Sequence, residues 1–302
     1  MNHDPLTDVL RLTRAEGVLS TGLRATGAFA VRVQMKDGMK FNALTRGSCF
    51  LDVAGTTFQL AQGDCFLLTR PQEFVIGNDR TLEPLSADRV FATARSGFAE
   101  LNNGGPAVEF VGGRMTSDVS MDLLTSALPP VLIMRGDTAD GRWVAGLLAR
   151  LRKELVEERP GAEVIAERIM HMVFVQMIRS DAWTDQATGW IAALSDPRIS
   201  RALSAIHRDP GHAWRVESLA SASGLSRSQF AARFTRQVGE APLEYLTRWR
   251  MALARNALLE GRTSIARIAS DVGYGSEAAF GAAYKRVYGI SPRRHVGSPQ
   301  AI

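Results

Sequence analysis

The chain has 302 residues, 45% of them hydrophobic and 22% charged, with a formal net charge of +5. The composition is that of an ordinary globular protein, and the length suffices for two domains with cores of their own. Two cysteines exclude a disulfide scaffold. The longest apolar run, Met172-Val173-Phe174-Val175, excludes a membrane helix, and the start Met1-Asn2-His3-Asp4-Pro5 lacks the basic and apolar segments of a signal peptide, so a cytoplasmic location is expected.

In chain order, residues 6–16 read as a short opening helix. From about 18 to 115 the pattern is β, in short segments such as Ala28–Gln34, Met39–Leu44, Cys49–Val53, Thr57–Leu60 and Cys65–Leu68, with Lys36-Asp37-Gly38 and Ala54-Gly55 supplying turns. Strands this short and closely spaced predict a barrel or sandwich. After Pro129-Pro130 and one more strand, Val131–Met134, the pattern turns helical. Trp143–Glu158 carries Val144, Leu147, Leu148, Leu151 and Leu155 on one stripe, and Pro160-Gly161 breaks it. Glu163–Arg179 is a second helix, with Ile165, Ile169, Met172, Val173, Gln176 and Met177; His171 within it reads as a packing residue. Residues 181–196 read as linker, and Asp196-Pro197 opens a further helix with an N-cap and Pro at its first position, ending near Asp209-Pro210-Gly211.

The remaining hundred residues contain one pattern twice. Leu219-Ala220, Gly224, Phe230, Phe234, Gly239, Pro242 and Tyr245 recur as Ile268-Ala269, Gly273, Phe280, Tyr284, Gly289, Pro292 and His295. Each copy spells a short helix, a glycine turn and a longer helix with an aromatic face, which is a helix-turn-helix whose second helix can enter the major groove of DNA. Charge follows the repeat: from Asp196 onward there are 16 Lys and Arg against 8 Asp and Glu, and the rest of the chain has 20 against 23. Such an asymmetry suits DNA binding by one part only. In the first copy Arg227, Ser228, Gln229, Ala232, Arg233 and Arg236 are placed for bases or phosphates; in the second Glu277, Ala278, Gly281, Ala282, Lys285 and Arg286 are. A helix of about 18 residues, Pro242 to Leu259, spans about 27 Å between them, near the roughly 34 Å of one DNA turn.

The stretch Ile268-Ala269-Ser270-Asp271-Val272-Gly273-Tyr274-Gly275-Ser276-Glu277-Ala278-Ala279-Phe280, followed by Lys285-Arg286 and Gly289-Ile290-Ser291-Pro292, resembles the signature of the AraC/XylS transcriptional regulators over about 40 residues. Asp196-Pro197-Arg198-Ile199, Ala202-Leu203, Ile206-His207 and Trp214 resemble the start of that domain in a subgroup with a cupin-type sensor. The resemblance implies a multidomain α+β protein: a cupin-like β-barrel at 1–135, a helical pair at 136–182 for dimerisation, a linker at 183–195 and an all-α double helix-turn-helix at 196–302. It implies a non-enzymatic, sequence-specific regulator of promoter DNA, activator or repressor, answering a small-molecule effector and contacting RNA polymerase. The apolar stripes of the helical pair, which one barrel face can only partly cover, predict a homodimer; the alternative is a monomer with both stripes packed on its own barrel. Three positions depart from the family pattern. Phe280-Gly281-Ala282-Ala283-Tyr284 lacks a common Arg, Ala232 replaces another, and His295-Val296 replaces the usual closing pair, so the operator does not carry over from relatives.

Metal-binding cupins place His and Glu on neighbouring strands. Here the expected His of the second cupin motif falls at Phe74, the His pair of the first is absent around Phe41-Asn42-Ala43, and all five histidines (His3, His171, His207, His212, His295) lie outside the predicted barrel. No metal and no cofactor is expected. Arg46, Arg70, Gln72 and Glu73 are the effector-binding candidates at a barrel mouth. Cys49 and Cys65 are the redox candidates, read first as small buried hydrophobes. Two alternatives remain: a cupin enzyme fused to a DNA-binding domain, and a DNA binder without a ligand.

Overall fold

The computed structural model describes residues 4–14, 16–95, 97–116, 121–157, 159–180 and 189–297. The chain divides into two units, each assembled from separate segments: a β-rich unit of Ala15–Ser117 with Leu128–Gln186, and a helical unit of Met1–Arg14, Asp118–Ala127 and Ala187–Ile302.

The β-rich unit holds eleven strands. They are β1 (Glu16–Thr26), β2 (Ala30–Gln34), β3 (Met39–Arg46), β4 (Ser48–Val53), β5 (Thr56–Ala61), β6 (Cys65–Leu68), β7 (Glu73–Gly77), β8 (Leu85–Ser86), β9 (Phe98–Asn102), β10 (Ala107–Thr116) and β11 (Val131–Met134). Six form one sheet in the order β11-β6-β3-β10-β1-β9, and five form a second, β5-β4-β7-β2-β8. One apolar core joins the inner faces of both: Leu23, Leu44, Phe66, Leu68 and Phe110 from the first, Val31, Leu51, Leu60, Phe74 and Ile76 from the second. Alternation along each strand sends every second side chain inward, which is why this cupin-like fold was readable in its short strands.

β10 falls within the β stretch predicted for 18–115 but is not among the strands singled out there, and the reason is physical. Gly112-Gly113 sits mid-strand in β10, where glycine ordinarily weakens a strand pattern. Here both glycines admit close neighbours. A Cβ on Gly112 would lie 2.3 Å from Asn42 Oδ1, and one on Gly113 would lie 1.7 Å from the Met170 methyl. Met170 belongs to a helical pair that completes this unit, α4 (Ala139–Glu157) and α5 (Ala162–Arg179), whose inner stripes are Val144, Leu148, Leu151 and Ile169, Met170, Val173, Phe174, Met177. α5 lies against β1 and α4 against β3 as well as against each other. Glu158, the expected last residue of the first helix, lies outside the described residues. A short helix, α2 (Ala87–Phe91), also belongs here.

The helical unit contains α1 (Pro5–Thr13), α3 (Asp122–Thr125), α6 (Trp190–Ala193), α7 (Pro197–Arg208), α8 (Val216–Ala222), α9 (Arg227–Val238), α10 (Pro242–Glu260), α11 (Ile265–Asp271), α12 (Glu277–Tyr288) and α13 (Pro292–Gly297). Asp4 caps α1, accepting from the Leu6 and Thr7 amides, and Pro5 occupies its first position. The opening helix ends at Thr13, short of the predicted residue 16; Ala15 is outside the described residues. The predicted linker holds α6, and its only large aromatic that the structure describes, Trp190, is fully buried with its indole N–H donating to the Leu123 carbonyl at 2.8 Å. Residues 181–188 of that stretch lie outside the described residues.

Candidate DNA interface and the cavity of the β unit

Both predicted helix-turn-helix units are present. Gly224 (φ 64°) and Gly273 (φ 80°) occupy the same place in each turn, in the left-handed region that side chains disfavour. Ser226 then caps α9 with its hydroxyl facing the Gln229 amide at 3.4 Å, and Ser276 caps α12 with its hydroxyl facing the Ala279 amide at 3.2 Å. Phe230, Phe234 and Val238 are the buried face of α9; Phe280, Ala283 and Tyr284 are that of α12.

The repeat extends to ring geometry. Phe234 meets Tyr245 edge-on at 6.0 Å, and the equivalent pair, Tyr284 and His295, meets edge-on at 5.8 Å. Each phenol also finds a histidine: Tyr245 Oη lies 2.8 Å from His207 Nε2, and Tyr284 Oη lies 2.9 Å from His295 Nδ1. Burial pushes both phenols well above their ordinary range, so they stay neutral partners. His295 therefore closes the second unit by a polar bond where an aromatic or Arg is usual. The side chain of Val296, its neighbour in that departure, lies outside the described residues.

On the faces opposite the aromatic rows, Arg227, Ser228, Gln229, Ala232 and Arg236 are exposed on α9, and Glu277, Ala278, Ala282, Lys285 and Arg286 on α12; Gly281 is half-buried. Arg227 pairs with Glu217 at 2.8 Å and Glu277 with Arg293 at 3.0 Å, all four largely exposed. Among the described residues, no carboxylate holds Arg236, Lys285 or Arg286. Arg233 differs. Its guanidinium lies 2.5 Å from Asp196 Oδ2, and the same oxygen accepts from Gln237 at 2.8 Å, while Oδ1 caps α7 through the Arg198 amide at 2.9 Å. Burial works against the Asp196 charge, but these bonds prevail and hold its carboxyl down at about 2. Arg233, chosen as a DNA contact from its place on the outer face, is thus engaged in fastening α9 to the start of α7.

In the β unit, the effector candidates from sequence are not gathered together. Arg46 borders a cavity with Thr45, Glu109 and Arg152. Arg70 donates to the Leu128 carbonyl at 2.9 Å, Gln72 to the Pro130 carbonyl at 3.2 Å, and Glu73 faces Arg32 at 3.8 Å. Near Arg46, buried Glu109 accepts from Arg152 at 2.7 Å, Thr45 at 2.9 Å and Arg24 at 3.0 Å, and these bonds overcome burial to keep its carboxyl below the usual range.

A second cavity, of about 370 Å³, opens between the two sheets, lined by Leu23, Val31, Val33, Phe74, Ile76, Phe91 and Phe110 with Ser20, Thr21, Lys40 and Asn42. Phe74, the position of the expected His of the second cupin motif, lines this cavity with its phenyl ring. Lys40 and Asn42 were missed by the sequence reading, although the alternation Lys40, Asn42, Leu44 on β3 marks one inward face. Cys49 and Cys65 are both buried and free. Burial first, and Asp64 second, push Cys49 up to about 12 and Cys65 higher still, the reverse of what a thiolate switch requires.

Residues 4–182 match a cupin family model and residues 219–296 a helix-turn-helix domain model. The chain is 40% identical over 299 residues to an AraC-like transcription regulator of Streptomyces antibioticus, covering 97% of this chain and 99% of that one. It is 30% identical over 283 residues to the transcriptional regulator AlkR of Acinetobacter baylyi, covering 90% and 92%. Among solved structures, an AraC-type regulator from Chromobacterium violaceum is 27% identical, with a TM-score of 0.33 over 35% of this chain and 94% of that one.

Proposed function

The chain belongs to the AraC-like transcription regulators and is a DNA-binding regulator with a cupin-like N-terminal domain; on that premise we propose that α9 and α12 are its two recognition helices and that the cupin-like unit senses a small molecule. The observation that carries the first half is the exposed, carboxylate-free set Arg236, Lys285 and Arg286, on the faces opposite the buried aromatic rows. Arg227, Ser228, Gln229, Ala232, Glu277, Ala278, Gly281 and Ala282 complete that interface. Its base contacts lean on thymine methyls at Ala232 and Ala282, and its affinity leans on phosphates.

The sensor half is supported by an apolar cavity with a few polar groups, the usual make-up of a ligand site. The protein acts in the cytoplasm without catalysis of its own, and effector binding changes promoter occupancy or contact with RNA polymerase. It works as a homodimer through the outer face of α4 and α5, where Trp143, Val164, Ile165 and Met172 are exposed. Domain limits follow: sensor and helical pair through residue 182, and a DNA-binding domain whose last segment takes in α6, inside the 183–195 stretch predicted as linker.

The test is a fluorescence anisotropy titration of the full chain on its own promoter DNA across salt concentrations. Arg236→Ala and Lys285→Ala should each weaken binding uniformly across sequences and reduce the salt slope by about one, with melting unchanged. Unchanged affinity and slope in both variants would remove α9 and α12 from the interface.

A further inference from the structure

Resting on the sensor reading above, we propose that the cavity between the two sheets binds a small organic anion with an apolar body, its carboxylate received by the Lys40 ammonium and the Asn42 amide. Register places these groups. Lys40, Asn42 and Leu44 follow one another on the inner face of β3, opposite Arg114, Gly112 and Phe110 of β10. Gly112 leaves room for the Asn42 side chain, which a Cβ there would strike at 2.3 Å. Beyond this polar end the walls are Phe74, Phe91, Phe110 and aliphatic side chains.

The charge count selects the ligand. Among the described residues lining the cavity, Lys40 is the one charged group, and no carboxylate accompanies it. Arg114, across the ladder from Lys40, is already bound to Asp37 at 3.0 Å, and β6 presents only Leu68 at that level. A cation partly withdrawn from water without a counter-ion is costly, and a second cation nearby adds to the cost. Burial, then Arg114, bring the Lys40 amine down to about 8. A ligand amine would worsen this imbalance, a neutral ligand would leave it, and a carboxylate removes it. An anion bound beside Lys40 also restores the amine to its charged form, so binding near pH 8 draws in a proton. The volume of about 370 Å³ lies at the small end of ligand sites, suited to one ring or a short chain.

The experiment is isothermal titration of the full chain with three probe bodies (benzoate, 3-phenylpropionate, octanoate), each also offered as its alcohol and its amine. Titrations at pH 8 in two buffers of different ionisation enthalpy count protons. The expected result is at least one carboxylate binding about tenfold or more tightly than its alcohol, no binding of its amine, and net proton uptake. Lys40→Met should abolish the preference for acid over alcohol and the proton uptake, while the alcohol still binds. Equal binding of acid and alcohol, or a preference that survives in Lys40→Met, overturns the anion assignment and leaves the sensor reading standing. No binding by any of the nine compounds overturns both. If Lys40→Met does not fold, the wild-type preference and proton count decide alone.

Discussion

Arg233 and Arg236 lie three residues apart on α9, and both look from sequence like outward-facing cations. Arg236 is exposed, whereas Arg233 lies half-buried against the Asp196 carboxylate that also caps α7. The two should therefore separate on mutation. Arg233→Ala is expected to cost about 1 kcal/mol of stability, discounted because its side chain is 39% exposed, and Asp196→Ala somewhat more, since it also removes a cap. Chemical denaturation of the two variants checks this; Arg233→Ala unfolding like the wild type while losing DNA affinity would return Arg233 to the interface. The Asp196 charge adds a pH signature. A carboxyl held at about 2 in the folded state, below its unfolded value, contributes stability above the unfolded value and loses it as pH falls toward 2. Asp196→Asn keeps a capping side chain but not the charge. The stability gap between wild type and Asp196→Asn, up to about 2 kcal/mol at pH 7, should narrow between pH 5 and pH 3. A gap constant across that range would mean the charge is not its source.

At the scale of elements, patterning was legible wherever one face is buried and one is wet. The strand β3 and the α9 and α12 aromatic pairs emerge from periodicity alone. Elements that exist because of contacts made elsewhere were not legible. β10 hides behind Gly112-Gly113, whose missing Cβ atoms matter only once Asn42 and Met170 are in place. α6 is a four-residue turn of helix held by the burial of Trp190, too short for any period to show. The helical pair shows a third limit. The stripe of α4 holds, but on α5 Ile165 and Met172 from the predicted stripe are exposed while Met170 and Phe174 are buried, and a stripe does not say what covers it. Leu151 and Ile169 are buried within the β-rich unit, so Glu at either would disrupt folding instead of testing self-association. Ile165 and Met172, seven residues apart on the outer side of α5, are the informative positions. Met172→Glu should leave melting within about 0.5 kcal/mol of the wild type and convert a dimer to a monomer in sedimentation, with weaker promoter binding. A wild-type protein already monomeric at micromolar concentration, with and without DNA, would end the dimer proposal.

At the scale of the molecule, the helical unit is not a simple C-terminal block. It draws α1 from the N-terminal end of the chain and α3 from between β10 and β11. α1 lies against α7 and α10, with Val9 and Leu12 buried, Asp8 Oδ2 3.5 Å from the buried His207 ring, and Arg14 paired with Glu260. His207 in turn stacks on Trp249 at 4.0 Å. The 121–127 stretch contributes the Leu123 carbonyl that receives the Trp190 indole and the Ser126 hydroxyl that meets Arg248 at 2.8 Å. The chain passes from α1 into β1 within three residues, from Thr13 to Glu16, and α3 lies in sequence between β10 and β11, two further strands of the six-stranded sheet that contains β1. A segment that is N-terminal in sequence is thereby a core element of the C-terminal unit, which composition and repeat spacing could not reveal because its partners lie some two hundred residues away. The consequence is testable in the full chain. Val9→Asp places a charge in a fully buried apolar position, and its cost should fall on the helical unit. Hydrogen exchange followed by mass spectrometry should show lost protection in α7 and α10, with β1 to β11 exchanging as in the wild type. Lost protection confined to the strands would mean that α1 belongs energetically to the β-rich unit, whatever helices it touches. Equal loss in both would mean that the two units unfold as one. The expected pattern, loss in the helical unit alone, would make α1 a core element of the helical unit in energy as well as in contacts, since Val9 and Leu12 are buried and the helix lies against α7 and α10.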